Sequence, residues 1–290
     1  MPKMYTVTPR RPRFNALFYG DPGSGKTTLA ASAQDSPAMA DVVFYNVEGG
    51  LLSIAHRGDI RAIDISACDE LDHEFWKLKS REDEYRTVKT VVIDSGTELQ
   101  TMNLQEIVRS AMTKGSSKSG KRRDSEDEIW QDDYGKSTAY LRRIYRQFKD
   151  LPHNVIVTAL AKYTYPKSQI DLGRSEAQAR AMGVEPLVVL PSMTQKVAES
   201  LMGYMDFVWY TFYDQEDDTY KVLTKSSGPY RAKTRGPHFQ KALGDVVKQP
   251  SLADIYTLYV ETESRRAAAV TPAKKKSRAV ATTSSNTRNS

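Results

Sequence analysis

The chain of 290 residues has a single cysteine, Cys68, so it can close no disulfide within itself. That excludes a small disulfide-stapled scaffold and points to a reducing setting. Its four histidines and lone cysteine show no metal-ligand spacing, which argues against a structural zinc site. No apolar run approaches the eighteen residues that would suggest a membrane span, and the first residues lack the apolar core of a secretion signal. A soluble cytoplasmic protein with no membrane partner is therefore expected. There is no internal repeat, which argues against solenoids and propellers. The body also lacks excess charge. The formal net charge is +6, but residues 263–290 hold seven bases and one acid, so residues 1–262 are neutral overall. A pI near 9 therefore describes the tail and is weak evidence for a basic face on the body.

What is present is a rhythm of short apolar runs and amphipathic helices. Phe14–Tyr19, Val42–Val47, Ile60–Ile65, Thr90–Ile93 and Val155–Thr158 read as strands. Between and after them, helical faces gather Leu104, Ile107, Val108 and Ala111, then Leu141, Ile144, Tyr145, Phe148 and Leu151, then Met193, Val197, Leu201 and Tyr204. This alternation predicts an α/β fold, a mostly parallel central sheet with helices on both faces. Phe207–Tyr213 and Tyr220–Thr224 flank an acidic turn and predict a C-terminal antiparallel hairpin. A last helix opens at Ser251. The expected organisation is a flexible arm over 1–13, one domain over 14–262 and a disordered basic tail over 263–290. Two polar stretches, 113–133 and 162–192, read as long loops.

The most specific motif is Gly20-Asp21-Pro22-Gly23-Ser24-Gly25-Lys26-Thr27, followed by Thr28. It is a P-loop pattern in strand–loop–helix context. Its glycines allow backbone N–H groups to turn around phosphate oxygens, and the helix N-terminus adds a positive dipole end. Lys26 suits the β- and γ-phosphates of ATP, and the Thr27 hydroxyl suits Mg²⁺. Val91-Val92-Ile93-Asp94-Ser95 is an apolar strand ending in a carboxylate, and Asp94 is the second Mg²⁺ candidate. Hydrolysis further needs a base to aim water at the γ-phosphate. No second acid follows Asp94, so Glu48, at the end of the second strand, is the candidate; Glu98 is the competitor, although it more naturally starts a helix.

Lys233 and Arg235 alternate onto one side of an extended segment. They would either reach a γ-phosphate bound by a neighbouring subunit or line a solvated edge strand. Lys118, Lys121, Arg122 and Arg123 form a basic cluster in the first polar stretch, and Lys162, Tyr163, Tyr165 and Lys167 an aromatic and basic group in the second. Such groups can stack bases and track phosphates of single-stranded nucleic acid; solvated loops and core-covering tyrosines are the plainer alternatives.

Taken together, Gly20–Thr28, Asn46-Val47-Glu48-Gly49-Gly50, Thr90–Leu99, Asp133-Tyr134-Gly135-Lys136, Asn154–Lys162 and Ala232–Pro237 resemble the RecA/RadA-like core of the P-loop NTPases. The resemblance spans about residues 14–260. It is nearest to small phage-encoded AAA-type nucleotide-binding proteins, some of them single-strand DNA annealing or recombination ATPases. It implies a RecA-like P-loop NTPase core, Glu48 as the water-activating residue, and Lys233 and Arg235 as a pair reaching ATP across a subunit interface. The two polar stretches would be DNA-binding loops. The implied partners are single-stranded DNA, further copies of the chain in a ring or filament, and a single-strand-binding or replication protein. The setting would be the host cytoplasm if the chain is phage-encoded. The family's glutamine at the end of the strand Ile156–Ala159 has no counterpart here, where Thr158 and Lys162 stand. The alternatives are a motor or loader-type ATPase acting on a replication protein, and a small-molecule kinase with Arg174 and Arg180 in a lid.

Overall fold

Five parallel strands set the architecture. In the computed structural model, which describes residues 13–113, 123, 125–167 and 175–270, these are β1 (Asn15–Gly20), β2 (Val42–Asn46), β3 (Arg61–Asp64), β4 (Thr90–Asp94) and β5 (Asn154–Thr164). They run in the order β3-β2-β4-β5-β1. Beyond β1 come β7 (Phe207–Asp214), parallel to β1, then β8 (Thr219–Leu223) and β10 (Val246–Lys248), both antiparallel. Two short strands lie off this path: β6 (Val188–Pro191) pairs antiparallel with β5, and β9 (Lys233–Thr234) antiparallel with β7. This is the α/β fold expected from the sequence, including the C-terminal hairpin.

The strands read as near-continuous apolar runs because both of their faces are buried. Alternate residues serve two cores. Leu17, Tyr19, Val43, Tyr45, Val91, Ile93, Val155 and Val157 face one layer. It is built from α2 (Cys68–Ser80), α3 (Gly96–Thr113), α4 (Gln131–Asp150) and α6 (Gln195–Tyr204). Ala16, Phe18, Phe44, Val92, Ile156 and Trp209 face the other, covered by α1 (Lys26–Ala31), α7 (Pro237–Leu243) and α8 (Leu252–Val270). Each fully buried Phe or Leu contributes about 1.5–3 kcal/mol relative to exposure, so a one-residue slip of any central strand would be prohibitive.

Most strand ends differ from the sequence reading by a residue or so, and some boundaries differ for a physical reason. β2 stops at Asn46, where Asn46 Oδ1 turns back to accept from Gly49 N–H at 2.9 Å. β5 runs six residues past Thr158, because its far end finds a partner in β6. The stretch 162–192 is therefore no structureless loop where it is described: it holds the end of β5, a helix α5 (Glu176–Ala181) and β6. α8 runs through residue 263 to Val270, since Arg265-Arg266-Ala267-Ala268-Ala269 are good helix formers. Residues 1–12 of the expected arm and 271–290 of the expected tail lie outside the described residues.

Candidate functional site

Strand register brings the site together. Asn46 of β2 lies opposite Asp94 of β4, Ile93 opposite Val157 of β5, and Gly20 of β1 opposite Leu160. The carboxyl ends of all four strands thus meet along one edge of the sheet. Chain turns following β1, β2 and β4 carry Lys26, Glu48 and Ser95 there.

The phosphate loop leaves β1 at Gly20. A Cβ at Gly20 would sit 2.2 Å from the Thr211 carbonyl oxygen and 2.6 Å from Ser24 Oγ, so only glycine allows this approach of β1 to β7. Gly25 caps α1 with φ of 85°, a left-handed conformation suited to glycine. Ser24 Oγ and Thr211 Oγ1 share a hydrogen bond of 2.8 Å, which fastens the loop to β7. Lys26 is 8% exposed, and its Nζ donates to the carbonyls of Gly20 at 3.2 Å and Asp21 at 2.8 Å. Burial lowers its pKa, while the charges of Glu48, Asp94 and Asp21 oppose that shift. A cation held in so dry a place attracts a phosphate more strongly than one in water.

Thr27 Oγ1 donates to Asp94 Oδ2 at 2.9 Å, and Thr158 Oγ1 donates to Asp94 Oδ1. Asp94 is 4% exposed. Burial raises its pKa, the hydroxyls of Thr158 and Thr27 lower it, Glu48 raises it and Lys26 lowers it. Among the described residues no group of three or more His, Cys, Asp or Glu could hold a metal unaided. Thr27 and Asp94 offer oxygens only. That donor set fits Mg²⁺, which keeps several waters and takes its other ligands from phosphates. Glu48 lies two residues past β2 at the same edge. It is exposed, and its backbone N–H donates to the Asp94 carbonyl at 3.2 Å. Glu98 sits in the first turn of α3, where its N–H approaches Ser95 Oγ at 3.4 Å, the helix-opening position expected for it.

Lys233 and Arg235 are elsewhere. Lys233 pairs with Val208 of β7, which lies opposite Leu17, three residues before Gly20. Arg235 lies level with the start of β1: its N–H donates to the Asp206 carbonyl, and Asp206 N–H donates to the Asn15 carbonyl. Five residues separate Asn15 from Gly20, about 17 Å of strand. Both cations therefore stand toward the amino edge, away from this chain's own phosphate loop. Arg235 forms an ion pair with Asp206 at 2.6 Å, and burial lowers the pKa of Lys233, with Arg235 adding to the shift and Asp206 opposing it.

The basic and aromatic candidates divide. Arg123 is not offered to a ligand. Its guanidinium is 6% exposed, pairs with the fully buried Asp133 at 2.5 Å and lies over the Trp130 ring. Removing two charges from water requires such pairing, so Arg123 is structural as it stands. Lys118, Lys121, Arg122 and Arg174 lie outside the described residues. Lys162 and Lys167 are exposed, whereas Tyr165 is buried at 3% and presents no stacking face of its own. Tyr163 is half-buried; its hydroxyl lies 2.9 Å from Asp21 Oδ1 and 2.9 Å from the Tyr210 hydroxyl. Arg180 of α5 pairs with Asp21 at 2.5 Å and stacks over the Tyr163 ring at 4.4 Å. The sequence reading named Tyr163 and Arg180 but tied neither to Asp21, and it gave Thr158, Thr211 and Tyr210 no place in the site. All of these links depend on strand register and carry no local signal.

The family model for the AAA domain matches residues 13–236, from just before β1 through the Lys233-Thr234-Arg235 segment. No curated protein matches the chain. The match covers most of the sequence and includes the phosphate loop, Glu48 and Asp94, so the chain belongs to the AAA domain family of P-loop NTPases.

Proposed function

We propose that this AAA-domain NTPase binds and hydrolyses ATP with Mg²⁺, assembles with copies of itself, and through that assembly engages single-stranded DNA in recombination or annealing, as a RecA/RadA-like protein. One observation carries the assembly reading: Lys233 and Arg235 lie toward the opposite edge of the sheet from the chain's own phosphate loop. Cations there can serve an ATP γ-phosphate only if it is bound by a neighbour, in a ring or a filament.

The parts then have distinct tasks. The loop amides and Lys26 bind the phosphates. Thr27 and, through water, Asp94 would hold Mg²⁺, which when bound supplies neutralising charge to the phosphates. Glu48, exposed at the same rim, accepts a proton from the attacking water. Single-stranded DNA is favoured as target by the motif order and by Lys162 and Lys167, exposed on the β5–β6 excursion. The test is ATP hydrolysis with and without single-stranded DNA, for wild type, Lys26→Ala and Glu48→Ala, beside a gel shift at low salt. DNA-stimulated turnover lost in both variants, with ATP binding kept in Glu48→Ala, is the expected result. Turnover indifferent to DNA with no gel shift would reject the DNA reading. Co-purification with a replication protein would then favour a loader-type ATPase.

A further inference from the structure

A cavity of about 640 Å³ opens beside the phosphate loop, walled by Asp21, Arg180, Tyr163, Tyr210, Phe212 and Tyr230 among others. It is not the phosphate cradle. The cradle feeds into α1, on the sheet face of Phe18 and Trp209. Tyr210 and Phe212 alternate away from Trp209 along β7 and stand on the other face, with Leu17 and Tyr19. The two sites share one wall, the loop segment Asp21–Ser24.

The lining has a definite chemistry. Tyr210 stacks on Phe212 at 5.9 Å and meets Tyr230 at 4.5 Å, which makes a row of rings down one wall. Beside it, the Arg180 guanidinium lies on the ring of Tyr163, whose hydroxyl meets that of Tyr210 at 2.9 Å. Phe212, Tyr163 and Tyr230 are each only partly buried. An aromatic wall, a stacked guanidinium and a carboxylate suit a flat heteroaromatic ring with polar edges and an attached phosphate. The volume is within the range of sites that enclose a molecule of that size.

We infer that this cavity is a nucleobase site, separate from the phosphate cradle, that takes one unstacked base with its phosphate. The base comes from a single strand of nucleic acid or from a free nucleotide; the chemistry is shared. This inference deepens the single-strand reading above and, in its nucleic-acid form, rests on it. Asp21 joins the two sites, because the carboxylate that meets Arg180 and Tyr163 belongs to the phosphate loop. A phosphate drawn to Arg180 competes with Asp21 for the same guanidinium.

The experiment uses the full chain with its cradle saturated by Mg-ADP. Two probes are titrated: an oligodeoxythymidylate carrying one 2-aminopurine, and 2-aminopurine riboside monophosphate. Stacking quenches 2-aminopurine fluorescence. Wild type is compared with Tyr230→Leu and with Arg180→Gln, a change at a half-exposed side chain that keeps the comparison available if the first variant folds poorly. Quenching in wild type, with affinity weakened about five- to a hundred-fold in the variants and ADP binding unchanged, supports the site. Quenching of the monophosphate alone, with the same sensitivity, supports the site with a free nucleotide as its source and rejects the single-strand reading. Oligonucleotide binding of equal strength in wild type and both variants overturns the base site while leaving the single-strand reading intact. Absence of binding by either probe overturns it as well.

Discussion

The two edges of the central sheet use their polar groups in opposite ways. At the carboxyl edge, Lys26 and Asp94 are nearly buried and yet are not ion-paired: Lys26 bonds to carbonyls and Asp94 to hydroxyls. At the amino edge, polar groups close on each other. Asn154 Oδ1 accepts from Phe14 N–H, its amide donates to Thr90 Oγ1, and Arg235 pairs with Asp206. The first edge holds charge ready for a ligand; the second spends its polar groups on tying strand ends together. Lys233 is the exception at the amino edge: burial and the neighbouring Arg235 charge lower its pKa, and Asp206, which opposes that shift, is already paired with Arg235. The lesson is that buried charge left without a direct ion pair marks a place built for something else.

The sharpest way to break that contrast is to damage the amino edge alone. Arg235→Ala leaves the chain's own phosphate loop intact. Its own side chain is 62% exposed and its pair with Asp206 contributes about 1 kcal/mol, so the fold should survive. If the cation acts across subunits, ATP turnover falls about a thousandfold. Mixing Arg235→Ala with Lys26→Ala should then restore turnover, since mixed interfaces pair an intact loop with an intact cation. Absence of restoration in steady-state assays would place Arg235 among the strand-tying groups. At the other edge, Glu48→Ala should keep ATP affinity while turnover drops about a hundredfold or more; fluorescent-nucleotide binding beside phosphate release checks both halves.

How much of this was readable beforehand follows the same divide. The carboxyl edge was legible because its chemistry is local in sequence: eight residues make the phosphate loop, and an apolar strand ending in Asp94 needs no partner to be recognised. The two-faced core was legible because parallel strands buried on both sides leave unbroken apolar runs. The strand β6, the length of β5 and the joining of Asp21 to Arg180 were not. They depend on which strands become neighbours, and residues 159 positions apart carry no mutual signal. Arg123 misled for the complementary reason. Its neighbours Lys121 and Arg122 suggest a solvated basic loop, whereas its partner Asp133 opens the next helix.

A milder change sharpens the account of the carboxyl edge. Thr158 donates to Asp94 Oδ1 from the strand that separates β4 from β1. Thr158→Val keeps the shape and removes the donor. Asp94 then loses a group that favours its ionised form, and its pKa, already raised by burial, rises further. The Mg²⁺ concentration needed for half-maximal turnover should increase about tenfold, in line with the loss of one hydrogen bond to a buried charge. The deficit should shrink as pH rises, because deprotonation of Asp94 then becomes easier. A deficit independent of both Mg²⁺ and pH would assign Thr158 to packing alone.

A last effect should appear at the amino edge, in stability alone, and leave turnover untouched. His153 precedes β5, is 5% exposed, and has an Nδ1 without a hydrogen-bond partner. Burial, with the nearby Arg81 charge, pushes its pKa down to about 4. The folded protein therefore holds His153 neutral, whereas the unfolded chain protonates it below about 6.5. Between those values the unfolded state binds more protons, so stability falls as pH drops from about 6.5 to about 4, by at most about 3 kcal/mol from this group. Urea denaturation at pH 7 and pH 4.5 measures the fall. His153→Gln should lose less stability than wild type over that interval, whatever its stability at pH 7, because the difference between the two pH values cancels any fixed cost of the substitution. If both proteins lose the same amount, the acid sensitivity lies in the carboxylates, and the amino edge is as indifferent to protons as its closed hydrogen bonds suggest.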